Sequence, residues 1–164
     1  MNSVLYLQHQ ITRDGTSNEK SIGAYTSLAN AGRAISRLKS RPGFRDFRGR
    51  FVVYEVRINK DYLPAGFDQP ANEISTLEVS ALDGSLDIQA GGLYRVYNQC
   101  TSGDEQSDND YVLIGFYESE KMAQSAIERL RGYANFGDPD REFGLDLYKL
   151  DADNWSEGFG VDDE

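Results

Sequence analysis

Cysteine and histidine each occur once in the 164 residues, and that scarcity removes several chemistries at the outset. Cys100 has no second thiol for an internal disulfide or a redox pair, and together with His9 it falls short of a zinc ligand set. A lone thiol needs an activating partner to act as a nucleophile, so Cys100 reads as a small incidental residue. His9 aligns with Asn98 and reads as a polar strand-end side chain in a structural or solvent-facing role. Long apolar runs are also missing. Met1–Ile11 has neither a basic region nor an uninterrupted apolar stretch, and nothing approaches the length of a membrane span, so a cytoplasmic, reducing environment without signal peptide or membrane anchor is expected. There is no Walker-type loop, no G-x-S-x-G elbow and no dinucleotide fingerprint after a strand. Positive charge is in deficit too: 17 Lys and Arg stand against 27 Asp and Glu, a formal charge of -10. Such a chain repels nucleic acid and anionic membranes at long range and favours a basic partner.

What is abundant is tyrosine, ten against a single tryptophan, as suits half-buried positions with a wet hydroxyl end. More telling, the chain is written twice. Ile22 to Phe67 reappears as Ile114 to Phe159 at a constant offset of about 92 residues, with matches that include Gly23/Gly115, Tyr25/Tyr117, Ser27/Ser119, Ala34/Ala126, Arg37/Arg129, Asp61/Asp153 and Gly66/Gly158. The expected fold class is α+β: two tandem ββαβ repeats, each a small, mainly antiparallel sheet with one helix, packed as a pseudo-symmetric pair. The boundaries are 1–67 for repeat one, 68–92 for a linker, 93–160 for repeat two and 161–164 for a disordered tail.

Within each repeat the periodicities change in a fixed order. Val4–Leu7 and Leu93–Tyr97 read as first strands, with Leu5 and Leu7 on one face and Tyr6 and Gln8 on the other. The polar stretches Thr12–Glu19 and Thr101–Asp110 read as hairpin connections, the second longer by about three residues when the flanking strands are aligned. Ser21–Tyr25 and Val112–Tyr117 are second strands. Ser27 and Ser119 then cap helices whose apolar residues recur at helical spacing: Leu28, Ala31, Ala34, Ile35 and Leu38, and Ala123, Ala126, Ile127 and Leu130. Pro42-Gly43 and Gly132 are the expected stops. Phe51–Ile58 and Phe143–Leu150 are third strands, each followed by a hook that ends in Gly-Phe. In the linker, Ile74–Leu82 and Ser85–Ile88 flank Asp83-Gly84, a pair suited to a tight hairpin turn.

Ile114-Gly115-Phe116-Tyr117, the helix after it, and Tyr148-Lys149-Leu150-Asp151 with Trp155-Ser156-Glu157-Gly158-Phe159 resemble a family of small bacterial domains of unassigned function. Its pattern reads L-I-G-x-Y, an amphipathic helix, P-G-F, and Y-x-L-D-x-D-x-W-x-E-G-F. Repeat one keeps Pro42-Gly43-Phe44 but has Leu63-Pro64-Ala65 at the Trp-x-Glu positions; repeat two keeps Trp155 and Glu157 but has Ala134-Asn135-Phe136. These are packing motifs. The resemblance implies kinship with cytosolic proteins found beside bacterial toxin genes, and hence an immunity-type role.

No cofactor, metal or catalytic residue is expected. Asp151 and Asp153, which recur as Asn59 and Asp61, suit turn and cap duty better than acid/base work. The favoured function is a non-catalytic protein-binding module that neutralises a toxin domain of basic character. Its contacts would be Asp104, Glu105, Asp108 and Asp110 of the lengthened loop, with Tyr111, Trp155 and Glu157. The alternative is a regulatory or nucleic-acid-binding module that uses the basic stretch Arg33–Arg50, with Arg33, Arg37, Arg41, Arg45 and Arg48 as its patch. A hydrolase with its site between the repeats is a third reading.

Overall fold

The computed structural model describes residues 3–13, 15–47, 49–62, 75–77, 92–101 and 111–158. It is an α+β protein. β1 (Ser3–Arg13) and β2 (Thr16–Tyr25) lead into α1 (Leu28–Leu38), the short α2 (Pro42–Arg45) and β3 (Gly49–Arg57). β4 (Ser75–Leu77) follows, and then β5 (Gly92–Cys100), β6 (Tyr111–Tyr117), α3 (Glu120–Leu130), a 3-10 turn over Ala134–Gly137 and β7 (Arg141–Lys149). Among the described residues the strands make two antiparallel sheets with lateral orders β2-β1-β3-β4 and β6-β5-β7. In the first sheet β1 lies between β2 and β3, in the second β5 lies between β6 and β7, and a helix packs on one face of each.

That helix-bearing face is built from alternation on the strands and the helical stripe. Leu5, Leu7, Ile22, Tyr25 and Val53 meet Leu28, Ala31, Ala34 and Leu38 of α1, with Phe44 of α2. In the other sheet Val96, Ile114 and Tyr117 meet Ala123, Ala126, Ile127 and Leu130 of α3, with Phe136. The Ala residues are fully buried, and their small side chains let each helix lie close to its sheet. Both helices start at a serine whose hydroxyl accepts a backbone N–H, Asn30 to Ser27 at 3.1 Å and Met122 to Ser119 at 3.2 Å, caps worth about 1 kcal/mol each.

The opposite faces of the two sheets are buried against each other. Val4, Tyr6, Ala24, Val56 and Tyr62 share one central cluster with Leu93, Phe116 and Tyr148, and Ile58 and Leu150 pack against it. Phe116 meets Tyr6 edge-on at 5.3 Å and Tyr148 at 5.7 Å between ring centroids. The layers therefore run helix, sheet, sheet, helix around three apolar clusters.

Several expectations need correction. The first hairpin is tighter than the polar composition of Thr12–Glu19 indicates: β1 and β2 run through that stretch to a turn at Gly15, whose φ of +79° suits glycine. Pairing with β3 as far as Ile11↔Gly49 carries β1 beyond its apolar run. Pro42-Gly43 does not end α1. The helix stops at Leu38, and Pro42 occupies the first turn of α2, where its missing N–H costs nothing. Of the structural and solvent-facing roles open to His9 the structure takes the structural one: it is buried beside Phe44 and Phe51, with ring centroids 5.2 and 4.9 Å away, and burial lowers its pKa. From the stretch read as a linker, Ser75–Leu77 joins the first sheet as β4, paired with Val53–Glu55. The turn at Asp83-Gly84 and the tail 161–164 lie outside the described residues.

The hooks supply the other difference. Each packs on the half it does not belong to. After β3, Asn59 N–H donates to the Phe116 carbonyl and Tyr62 N–H to the Ile114 carbonyl; after β7, Asp151 N–H donates to Ala24 and Asn154 and Trp155 N–H donate to Ile22. Asn59 and Asp151 both have left-handed backbone, φ 61° and 57°, and their side chains accept from Glu118 N–H at 3.0 Å and Thr26 N–H at 2.8 Å. Asx residues tolerate that conformation because the short polar side chain bonds locally. Gly23 and Gly115 make room for the crossing chain: a Cβ there would stand 2.5 Å from the Ala152 carbonyl oxygen and 2.4 Å from that of Lys60.

Candidate functional site

The carboxylates that recur in the hooks are engaged by the opposite half. Tyr25 donates its hydroxyl to Asp153 at 2.6 Å, and Arg37 donates to the same carboxylate at 2.9 Å. Tyr117 and Arg129 treat Asp61 alike, the guanidinium at 3.0 Å. Burial, reinforced by the bonded carboxylate, drives both tyrosine pKa values far upward. Both phenols stay protonated and act as donors, so each Tyr–Asp–Arg cluster is a clamp between halves.

The basic patch is largely occupied in the same way. Arg37 binds Asp153, Arg41 donates to the Ser156 carbonyl at 2.9 Å, Arg45 pairs with its neighbour Asp46 at 2.7 Å, and Arg33 bonds Asn30. Arg48 lies outside the described residues. So do Asp104, Glu105, Asp108 and Asp110. Tyr111 opens β6 opposite Gln99. Trp155 is half-buried, edge-on to Phe44 at 5.2 Å, with the Lys20 ammonium 5.7 Å above its ring. Glu157 is exposed, and its carbonyl passes so close to Gly43 that a Cβ there would stand 2.2 Å away. The structure thus brings Trp155 to the hook beside Arg37 and Arg41, and it uses Trp155 as packing.

A concave feature lies elsewhere, in a cleft of about 600 Å³ between the halves. Glu19, Lys20 and Ser21 of β2 form one wall and Asp146, Leu147 and Tyr148 of β7 the other. Arg95 and Gln99 of β5 also line it, and Asn154 and Trp155 of the second hook complete it. β2 and β7 are joined at one end by the Ala24–Leu150 bridge. Arg95 is the centrepiece: a largely buried guanidinium ion-paired with its cross-strand neighbour Asp146, its Cζ 4.7 Å from the Tyr97 ring and 4.6 Å from the Tyr148 ring. A buried guanidinium needs such partners to offset desolvation. Desolvation also raises the pKa values of Glu19 and Tyr148, and that of Tyr97. Tyr6 bonds Ser21 behind the cleft wall.

No family model matches the chain, and neither a curated protein nor a solved structure matches it.

Among the described residues no group of three or more His, Cys, Asp or Glu is placed to hold a metal ion, and no helix is long and apolar enough to cross a membrane. Chemically the cleft offers hydrogen-bond donors, carboxylates and aromatic faces side by side, the equipment of a recognition surface. Of its residues the sequence reading singled out only Trp155. One signal was available: Arg95 interrupts the otherwise apolar and aromatic run Leu93–Tyr97, where a charge must find a partner.

Proposed function

We propose that the chain is a non-catalytic protein-binding module, most concretely an immunity-type protein that binds and neutralises a cytosolic bacterial toxin of basic character. The observation that carries this reading is a division of labour between repeated and unrepeated residues. The repeated set, Tyr25/Tyr117, Arg37/Arg129, Asp61/Asp153 and Gly23/Gly115, holds the halves together. The cleft is lined mostly by residues that differ: Glu19 where the copy has Tyr111, Lys20 against Val112, Asp146 against Tyr54, Asn154 against Tyr62, and Arg95 in the strand position of Tyr6, while Gln99 matches Gln10. A duplicated scaffold that keeps its frame and varies one open surface suits recognition. The reciprocal hooks likewise support reading the chain as two tandem ββαβ copies paired with pseudo-symmetry. The Arg33–Arg48 patch carries the nucleic-acid alternative less well, since Arg37, Arg41 and Arg45 already have partners within the chain.

The test is affinity purification of the chain from its native host at low salt, followed by co-expression with the basic protein recovered. A stoichiometric complex and restored growth are expected. Failure to recover a partner, together with no protection against a toxin encoded beside the gene, would discard the proposal.

A further inference from the structure

One sheet shows what the other leaves open. β4 adds antiparallel to the outer edge of β3, with Ser75 opposite Glu55, Thr76 opposite Tyr54 and Leu77 opposite Val53. By the correspondence of about 92 residues, the matching stretch of the second sheet is Leu145–Leu147 of β7. There the order ends at β7, and among the described residues no strand pairs with its outer edge. Leu147 is 59% exposed, more than any other large apolar residue described. The cleft opens at the same stretch, along Asp146, Leu147 and Tyr148. An edge that no described strand pairs with, carrying an exposed apolar side chain, is a template for another strand.

We propose that the outer edge of β7 is a strand-addition site that takes an extended segment of a protein partner, with side chains alternating apolar, basic, apolar opposite Leu145, Asp146 and Leu147. It rests on the binding role proposed above and deepens it by naming the docking mode. The alternation follows from the two faces of β7. Leu145 packs with the cluster under α3, so Leu147, two residues on, shares that face and leaves it apolar at the edge. Asp146 lines the cleft, bonded to Arg95 with its side chain 42% exposed, and Glu19 lines the same cleft. The cations there already lie against aromatic rings, Lys20 over Trp155 and Arg95 over Tyr97 and Tyr148. An incoming Lys or Arg meets the carboxylates, and the chain's charge of -10 steers it there. Main-chain bonds along β7 supply affinity and the alternating contacts supply specificity.

The test pans a phage-displayed random dodecapeptide library on the full chain and synthesises the best binder. Its binding is read by the fluorescence of Trp155, the single tryptophan, which lines the cleft. Hydrogen exchange follows the amides of β7. Enriched peptides should carry the apolar-basic-apolar pattern. N-methylating one alternate set of peptide amides should weaken binding at least tenfold, while methylating the other set leaves it within twofold, because only one edge of an added strand faces β7. Leu147→Ser should weaken binding several-fold with unchanged circular dichroism. No enrichment, or equal sensitivity to both methylation sets, overturns the proposal. Slow exchange of the outer β7 amides in the free chain would mean that the chain covers its own edge, and self-association abolished by Leu147→Ser would assign the edge to a second copy; either also overturns it. A native partner that protects cells yet still binds Leu147→Ser and ignores the peptide would refute this docking mode while leaving the binding role intact. Peptide addition at β7 with no protein partner would do the reverse.

Discussion

Replacing Asp153 by Ala removes the carboxylate by which the second hook holds the first half. Its side chain is 14% exposed and accepts from the Tyr25 hydroxyl and from Arg37, whose own side chain is 49% exposed. The two bonds are unequal. A half-exposed ion pair contributes about 0–1 kcal/mol. Tyr25 is fully buried, and a buried hydroxyl stripped of its acceptor costs about 1–3 kcal/mol. The expected loss is therefore about 1–4 kcal/mol, which for a chain of this size lowers the melting temperature by about 2–16 °C. Tyr25→Phe removes the donor instead and leaves Asp153 paired with Arg37, at a cost of about 1 kcal/mol. In the double variant the stranded hydroxyl is gone, so the costs should fall short of additivity by about 1–2 kcal/mol. Urea unfolding of the four proteins measures this cycle, and Asp61→Ala with Tyr117→Phe repeats it in the other half. Additive costs, or an Asp153→Ala protein that melts within about 1 °C of the parent, would refute the clamp.

Gly115→Ala places a methyl against the Lys60 carbonyl of the crossing hook, and because neither backbone can retreat cheaply a loss of about 1–3 kcal/mol is expected by thermal melting. Acid should weaken the fold through His9: burial lowers its folded pKa, so its share of stability is present above the unfolded value near 6.5 and is lost as pH falls toward the lower folded value. His9→Phe should flatten melting temperature against pH across that window, and an unchanged slope would remove His9 from the account. Alkali acts with the opposite sign on Tyr25 and Tyr117, whose raised pKa values contribute stability below about 10 that is lost as pH climbs further. Tyrosinate absorbance should show both ionising only with unfolding.

Local chemistry was legible where it acts through near neighbours. Ser27 and Ser119 fall at the helix caps, and the stripes from Leu28 to Leu38 and from Ala123 to Leu130 are the buried helix faces. Strand lengths were less so, because Thr12–Glu19 is polar yet largely extended: ladder pairing across β1, β2 and β3, not apolar content, holds it. The cleft was nearly invisible, since Glu19, Arg95, Asp146 and Trp155 come from separate elements and are unlike their counterparts in the other half.

By itself the sequence determined the α+β class and the helices with their caps. It could not determine which half each hook closes. Asp61 beside Tyr25 and Asp61 beside Tyr117 leave the same pattern of repeated residues, because two corresponding clamps can exchange their hooks without changing a single letter. Only the tertiary structure decided this, where the left-handed turns at Asn59 and Asp151 carry each hook onto the other half. The same packing of sheet on sheet buried Arg95 between two tyrosines and, among the described residues, left the outer edge of β7 without a paired strand beside it.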